Sequence, residues 1–191
     1  MADTWIETYT GVKFDLMKPR TEDVNLADIA HALSMICRYT GHCKQFHSVA
    51  QHSVLVARLL DREDTSIYGL LHDAHEAYIG DISTPLKNCI ESNFSLSKLK
   101  ESIQTVIYEG LKVPPPGREV VDIVSKADSS IMEAESKLLL GHCSKDWGFT
   151  GNQLYQFKGN IPMWSPGVAE GTFTDEFLLL YLSIKNKGGE L

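Results

Sequence analysis

Residues 70–85 read LLHDAHEAYIGDISTP and put two His, two Asp and one Glu into a stretch whose apolar positions mark a buried helix. Ile67, Leu70, Leu71, Ala74 and Tyr78 fall at i, i+3, i+4, i+7 and i+11, one face of a helix that Gly80 beside Asp81 is predicted to close. Residues three or four apart share a helical face, so His72, Asp73 and Glu76 become neighbours. Ionisable groups set against a core are costly unless they are paired or hold a metal.

The same period recurs on both sides of this stretch. Ile29, Ala30, Leu33, Ile36 and Cys37 predict a first helix, Val49 to Leu60 a second, and Ile103, Val106 and Ile107 another. After the turn VPPPG at 113–117, Val120, Ile123, Val124, Ala127, Ile131 and Ala134 form one stripe of a long helix running to about Leu140. Phe177, Leu180, Tyr181 and Ile184 predict a terminal helix. Residues 147–172, rich in Gly, Pro and aromatics, show no period and read as a long irregular loop with a short hairpin around Trp164. The expected fold is all-α, a compact helical bundle in a single domain over 1–191, with short strands at most.

Composition narrows the function classes. The net charge is −7 with no Lys/Arg run, which argues against a nucleic-acid groove. The start MADTWIETYT lacks the features of a signal peptide, and no apolar run reaches membrane-spanning length, so a cytoplasmic protein without a membrane partner is expected. Cys37, Cys43, Cys89 and Cys143 form no CxxC pair, and free thiols are expected in place of a zinc ribbon or disulfide framework.

Two further candidates lie on other helices: His52 in SVAQHS and Asp128 in VSKADSS, the latter on the apolar stripe. With His72 and Asp73 they make two His and two Asp from three helices, a mixed N/O set suited to one divalent transition ion, whether Zn, Co, Mn, Fe or Ni. The zinc-protease motif HExxH fails because Ile79 stands at the second His position, and the inverted HxxEH fails on order. GxSxG and GxxxxGK[ST] are also missing.

The order His52, His72-Asp73, Asp128 resembles the HD-domain metal-dependent phosphohydrolases. HDAHEAYIGDISTPLK at 72–87 is similar to the HDAxExxxGDxPTPxK segment of bacterial deoxyribonucleotide 5′-nucleotidases, and QHS at 51–53 resembles their EHS. KAD at 126–128 with EAE at 133–135 resembles their KQAD segment, and Arg38-Tyr39 resembles the Arg-Trp pair that holds the nucleotide. TYTGVKF at 8–14, DIAHALSMICRYTGHC at 28–43 and FHSVAQHS at 46–53 are closer to a phage branch that includes dATP triphosphohydrolases. The resemblance spans 4–140 and departs at Gln51, Tyr39 and Ser83, where the nucleotidases have Glu, Trp and Pro.

The resemblance implies hydrolysis of the bond between the α-phosphate and the 5′-oxygen of a deoxynucleotide. Conversion of dATP to deoxyadenosine and tripolyphosphate is preferred, with a monophosphate 5′-nucleotidase or a non-catalytic nucleotide-binding domain as alternatives. It implies metal ligation by His52, His72, Asp73 and Asp128, proton transfer or water orientation by Glu76, and a sugar or water contact for Asp81. Arg38 would hold the α-phosphate and Tyr39 the base or sugar. Lys87 and Lys126 would neutralise further phosphates, with a second ion allowed there, or else stand as solvated surface charges. A homo-oligomer, dimer or dimer-based hexamer, is implied, in the host cytoplasm if the protein is phage-encoded.

Overall fold

A short antiparallel hairpin begins the chain, β1 (Trp5–Glu7) pairing with β2 (Lys13–Asp15) so that Ile6 sits opposite Phe14. The alternation of the strand turns Phe14 inward, where it is fully buried and stacks on Tyr78 with ring centroids 3.8 Å apart. The computed structural model describes residues 3–90, 95–141, 147, 149, 155 and 157–186. Helices follow: α1 (Leu26–Met35), α2 (Val49–Leu59), α3 (Glu63–Leu71), α4 (Glu76–Ile79), α5 (Thr84–Ile90), α6 (Leu96–Gly110), α7 (Arg118–Leu139) and α8 (Pro166–Asn186). The class is all-α with one small sheet, as the periodicity predicts. Among the described residues no helix is long and apolar enough to cross a membrane.

Local chemistry fixes the helix starts that matter for the site. The Asn25 side chain accepts a hydrogen bond from the Ala27 N–H and caps α1. Ser48 caps α2 by accepting from the Gln51 N–H at 3.1 Å, one turn ahead of His52. Two apolar clusters hold the bundle. The larger joins Phe14, Ile29, Leu33, Val54, Ile67, Leu70, Ile103 and Phe173, and the smaller joins Val56 and Leu60 on one side to Ala127 and Ile131 of α7. Helices α2 and α3 pack on each other, and each touches both α7 and α8, while α8 also lies along α1.

Gly69 makes the contact between α2 and α3 possible. A Cβ at this position would stand 2.8 Å from a Leu60 methyl and 3.2 Å from the Ala57 Cα, so α2 and α3 approach backbone to backbone there.

The structure departs from the periodicity at four places. The predicted helix through Tyr78 is interrupted: α3 ends at Leu71, and the Ala74, Glu76, Ala77 and Tyr78 N–H groups donate to carbonyls three residues back, so the chain tightens to 3-10 bonding over the ionisable stretch. α1 stops at Met35, leaving Ile36 and Cys37 to an extended segment in which Cys37 bridges Ser48. The hairpin β1–β2 and helix α5 have too few alternating or periodic positions to be read from sequence. Trp164 lies in irregular backbone packed on the larger core, with no strand around it, and α8 begins at Pro166. Pro is suited to a first helical position, and Ala169 and Phe173 are buried there, which overrides Gly167 and Gly171. Residues 148, 150–154 and 156 of the predicted loop, and His142 and Cys143 before it, lie outside the described residues.

Gly69→Ala should destabilise the fold by about 1–3 kcal/mol, the usual penalty for overpacking. Urea denaturation measures this, and an unchanged midpoint would mean that α2 and α3 can separate at no cost.

Candidate metal centre

The tightened segment after α3 sets the geometry of the site. In 3-10 bonding residues three apart eclipse one another, and the Glu76 N–H donates to the Asp73 carbonyl, so these two carboxyls lie on one side of the turn. His72 Nδ1 faces the Gly69 carbonyl at 2.8 Å. A carbonyl can only accept, so the proton is on Nδ1 and the Nε2 lone pair points the other way. His52 is tied in the same manner, with Nδ1 2.7 Å from the Glu135 Oε1. Both Nε2 atoms are buried and make no hydrogen bond.

These two nitrogens face a common point. His52 Nε2 lies 3.0 Å from Asp128 Oδ1 and His72 Nε2 3.9 Å from the same oxygen, while Asp73 Oδ2 is 3.1 Å from His72 Nε2. Ligand atoms held about 2.1 Å from one ion stand roughly 3.0–3.4 Å apart at adjacent positions, a spacing that the His52–Asp128 and His72–Asp73 contacts match. His52, His72 and Asp128 offer ligand atoms within 4.8 Å of one another, and Asp73, His75 and Glu76 form a second such group. Asp73 therefore stands at the join of the two groups. A cleft of about 230 Å³ lined by Tyr68, Tyr108, Val121 and Val124 opens onto His72 and Asp128.

Glu135 is the residue that sequence reasoning left without a role. It is fully buried on α7, seven residues after Asp128, and its carboxylate meets His52 and His47 Nε2 at 2.7 Å each, the Tyr39 hydroxyl at 2.8 Å and Arg38 Nε at 3.1 Å. The one available signal was its spacing, two turns after Asp128 on the same helix. His47 and Gln104 were missed as well; the Gln104 carbonyl oxygen takes the His75 ring Nδ1–H at 3.1 Å while its amide donates to the Leu71 carbonyl.

The electrostatics follow from burial and neighbours. Burial opposes a charge on His72, but Asp73 and Asp128 outweigh it and take the ring up to about 9. Burial works against the Asp73 anion too, and His72 beside it still holds that carboxyl well below its usual range. Glu135 behaves likewise against Arg38 and His52. Burial and then the Asp73 and Asp81 charges push the Glu76 carboxyl up to about 9, and its Oε2 is buried without a hydrogen-bond partner. His75 is driven down to about 4 by burial and is neutral.

The remaining predicted residues are placed as follows. Arg38 is buried with its guanidinium NH1 3.8 Å from Asp73 Oδ2, and Tyr39 is half-buried beside it. Asp81 and Lys87 are half-buried near Glu76 and Lys100 respectively, and Lys126 is exposed on α7, outside the cluster. Burial and the nearby Lys87 lower the Lys100 ammonium to about 8.

The fold and the cluster define an all-α protein with His, Asp and Glu groups able to hold a metal ion. The chain belongs to the family of the uncharacterized protein YfdR of Escherichia coli K12, with which it is 35% identical over 179 residues, 91% of this chain and 94% of that one. An uncharacterized protein of Rhodobacter capsulatus is also 35% identical, over 102 residues that cover 49% of this chain and 52% of its own. No family model matches the chain.

Glu135→Gln should lower divalent-ion affinity about 10–100-fold, because the His52 ring loses its charged anchor; calorimetric titration with Mn²⁺ or Co²⁺ reads this out. The same titration should show affinity falling with acid. His72 holds a proton below about 9 that an entering ion must displace, so binding weakens by up to about tenfold per pH unit for each proton displaced. Affinity that does not change between about pH 6 and about pH 8 would remove the two rings from the ligand set.

Proposed function

We propose that this chain is a divalent-metal-dependent phosphohydrolase of the HD-domain type. On this reading it hydrolyses the bond between the α-phosphate and the 5′-oxygen of a deoxynucleotide, with dATP as the substrate and deoxyadenosine and tripolyphosphate as products. The observation that carries this reading is the convergence of two orphaned ring nitrogens on the Asp128 carboxylate, with Asp73 beside His72, in the chain order His52, His72-Asp73, Asp128. Preference for dATP rests on the resemblance of the N-terminal third to the phage branch.

His52, His72, Asp73 and Asp128 would hold the ion. A divalent cation there would supply an activated water nucleophile and would polarise a phosphoryl oxygen. Arg38, in contact with Glu135 and Asp73, would hold the oxygens of the α-phosphate. When water attacks the α-phosphorus a new P–O bond forms and the bond to the 5′-oxygen breaks, leaving an alkoxide that needs a proton. Glu76 keeps its proton up to about 9 and lies next to Asp73, so it is suited to deliver it. Tyr39 presents a flat ring at the same turn for base or sugar, and Asp81 is positioned beside Glu76. Lys87 and Lys100 offer cations for the outer phosphates, whereas Lys126, being exposed, is a weaker choice.

The test is incubation with Co²⁺ or Mn²⁺ and dATP, dGTP, dAMP and dGMP in parallel, resolving nucleoside, phosphate and tripolyphosphate. Deoxyadenosine with tripolyphosphate from dATP is expected. Phosphate from several monophosphates with triphosphates untouched would make the protein a 5′-nucleotidase, and ion binding without any turnover would leave a nucleotide-binding domain. Asp73→Ala should lose both ion and turnover, while Glu76→Gln should keep the ion and lose about 100-fold or more in rate.

A further inference from the structure

The residues Arg38 and Tyr39 sit on a loop whose backbone is held in an uncommon shape. Its neck is closed by hydrogen bonds from the Arg38 N–H to the His47 carbonyl at 2.9 Å and from the Val49 N–H to the Ile36 carbonyl at 3.1 Å. Inside the loop Tyr39, Thr40 and Gly41 have φ of 57°, 54° and 78°, the left-handed region that Tyr and Thr rarely adopt. Such a run persists only where its surroundings hold it. Two of the restraints are the Gly41 N–H to the Arg38 carbonyl and the His42 N–H to the Tyr39 carbonyl. The third is a pair of thiols.

Cys37 and Cys43 flank the turn, with their sulfurs 3.5 Å apart and the Cys43 thiol also 3.7 Å from the Arg38 carbonyl. Both are half-buried and free, whereas Cys89 is exposed on α5. Bonded sulfurs stand about 2.05 Å apart, so closing the pair needs a movement of roughly 1.5 Å, within reach of side-chain rotation. The pair was not predicted, because a six-residue spacing matches no thiol motif and only the left-handed turn folds the ends together.

We propose that Cys37 and Cys43 form a reversible disulfide modification site that locks the turn presenting Arg38 and Tyr39. The oxidant is a peroxide or a small disulfide of the glutathione type. With peroxide, the two thiols lose two protons and two electrons, the O–O bond breaks, and one S–S bond and two waters form. With glutathione disulfide, one cysteine attacks to give a mixed disulfide and releases one glutathione thiol. The second cysteine then displaces the other glutathione, so two thiols are oxidised and two are produced. A dithiol reductant reverses both. Burial and the hydrogen bond to Cys37 raise the Cys43 thiol, which makes Cys43 a slow nucleophile.

Trypsin cuts after Arg20, Arg38 and Lys44, so Cys37 falls on peptide 21–38 and Cys43 on peptide 39–44. The full chain is treated with glutathione disulfide, its remaining thiols are blocked, and it is then digested and weighed. The expected product is the two peptides joined by one disulfide, lost on reduction and missing in Cys37→Ser and in Cys43→Ser but retained in Cys89→Ser. Hydrogen exchange at residues 39–43 should slow at least about tenfold in the oxidised chain relative to the reduced one. Free thiols at both positions, or joined chains through Cys89 in their place, would overturn the site. A joined pair with unchanged exchange at 39–43 would overturn the lock. Neither readout depends on the hydrolase reading.

Discussion

One carboxylate organises the centre. Glu135 is wholly removed from water, where an unpaired anion is not tolerated, and it is met by two imidazoles, a phenol and a guanidinium. Each of those partners belongs to the site or borders it, so the cost of burying one charge is offset by the same contacts that orient His52 and hold Arg38. The arrangement is of the kind found behind metal-ligating histidines, where an outer carboxylate fixes ring orientation and raises ligand basicity.

The second organising feature is the change of helical period after Leu71. Adjacent residues point about 100° apart on an α-helix and about 120° apart on a 3-10 turn, and the His72 and Asp73 side chains lean toward each other to bring Asp73 Oδ2 within 3.1 Å of His72 Nε2. Gly69 serves this segment twice, by letting α2 come close and by lending its carbonyl to the His72 ring.

Much of this was legible in the sequence. The major helices follow from apolar positions three and four apart, and His52, His72, Asp73 and Asp128 stood out because charge on an apolar face needs a reason. What was hidden has physical causes. Glu135 lies among alternating charged and apolar residues of α7, where one more Glu reads as a solvated face. The 3-10 transition leaves the apolar residues in register with an α-helix and shows only in the hydrogen bonds. The hairpin β1–β2 has three residues per strand, too few for an alternation to be recognised. The proximity of Cys37 and Cys43 depends on backbone angles that no side-chain pattern encodes.

Most of the contacts at the centre are long-range in the chain: 83 residues separate His52 from Glu135, and 97 separate Arg38 from it. An unfolded chain therefore offers scattered donors but no cage. A cation captured by the cage binds the native state selectively, and at a concentration about a thousandfold above its Kd it would add roughly 4 kcal/mol to the folding free energy. That is a large share of the roughly 5–15 kcal/mol that hold an ordinary domain together. The ion would thus act as a non-covalent cross-link between α2, the turn after α3, and α7, coupling the abundance of the folded protein to the supply of free metal around it.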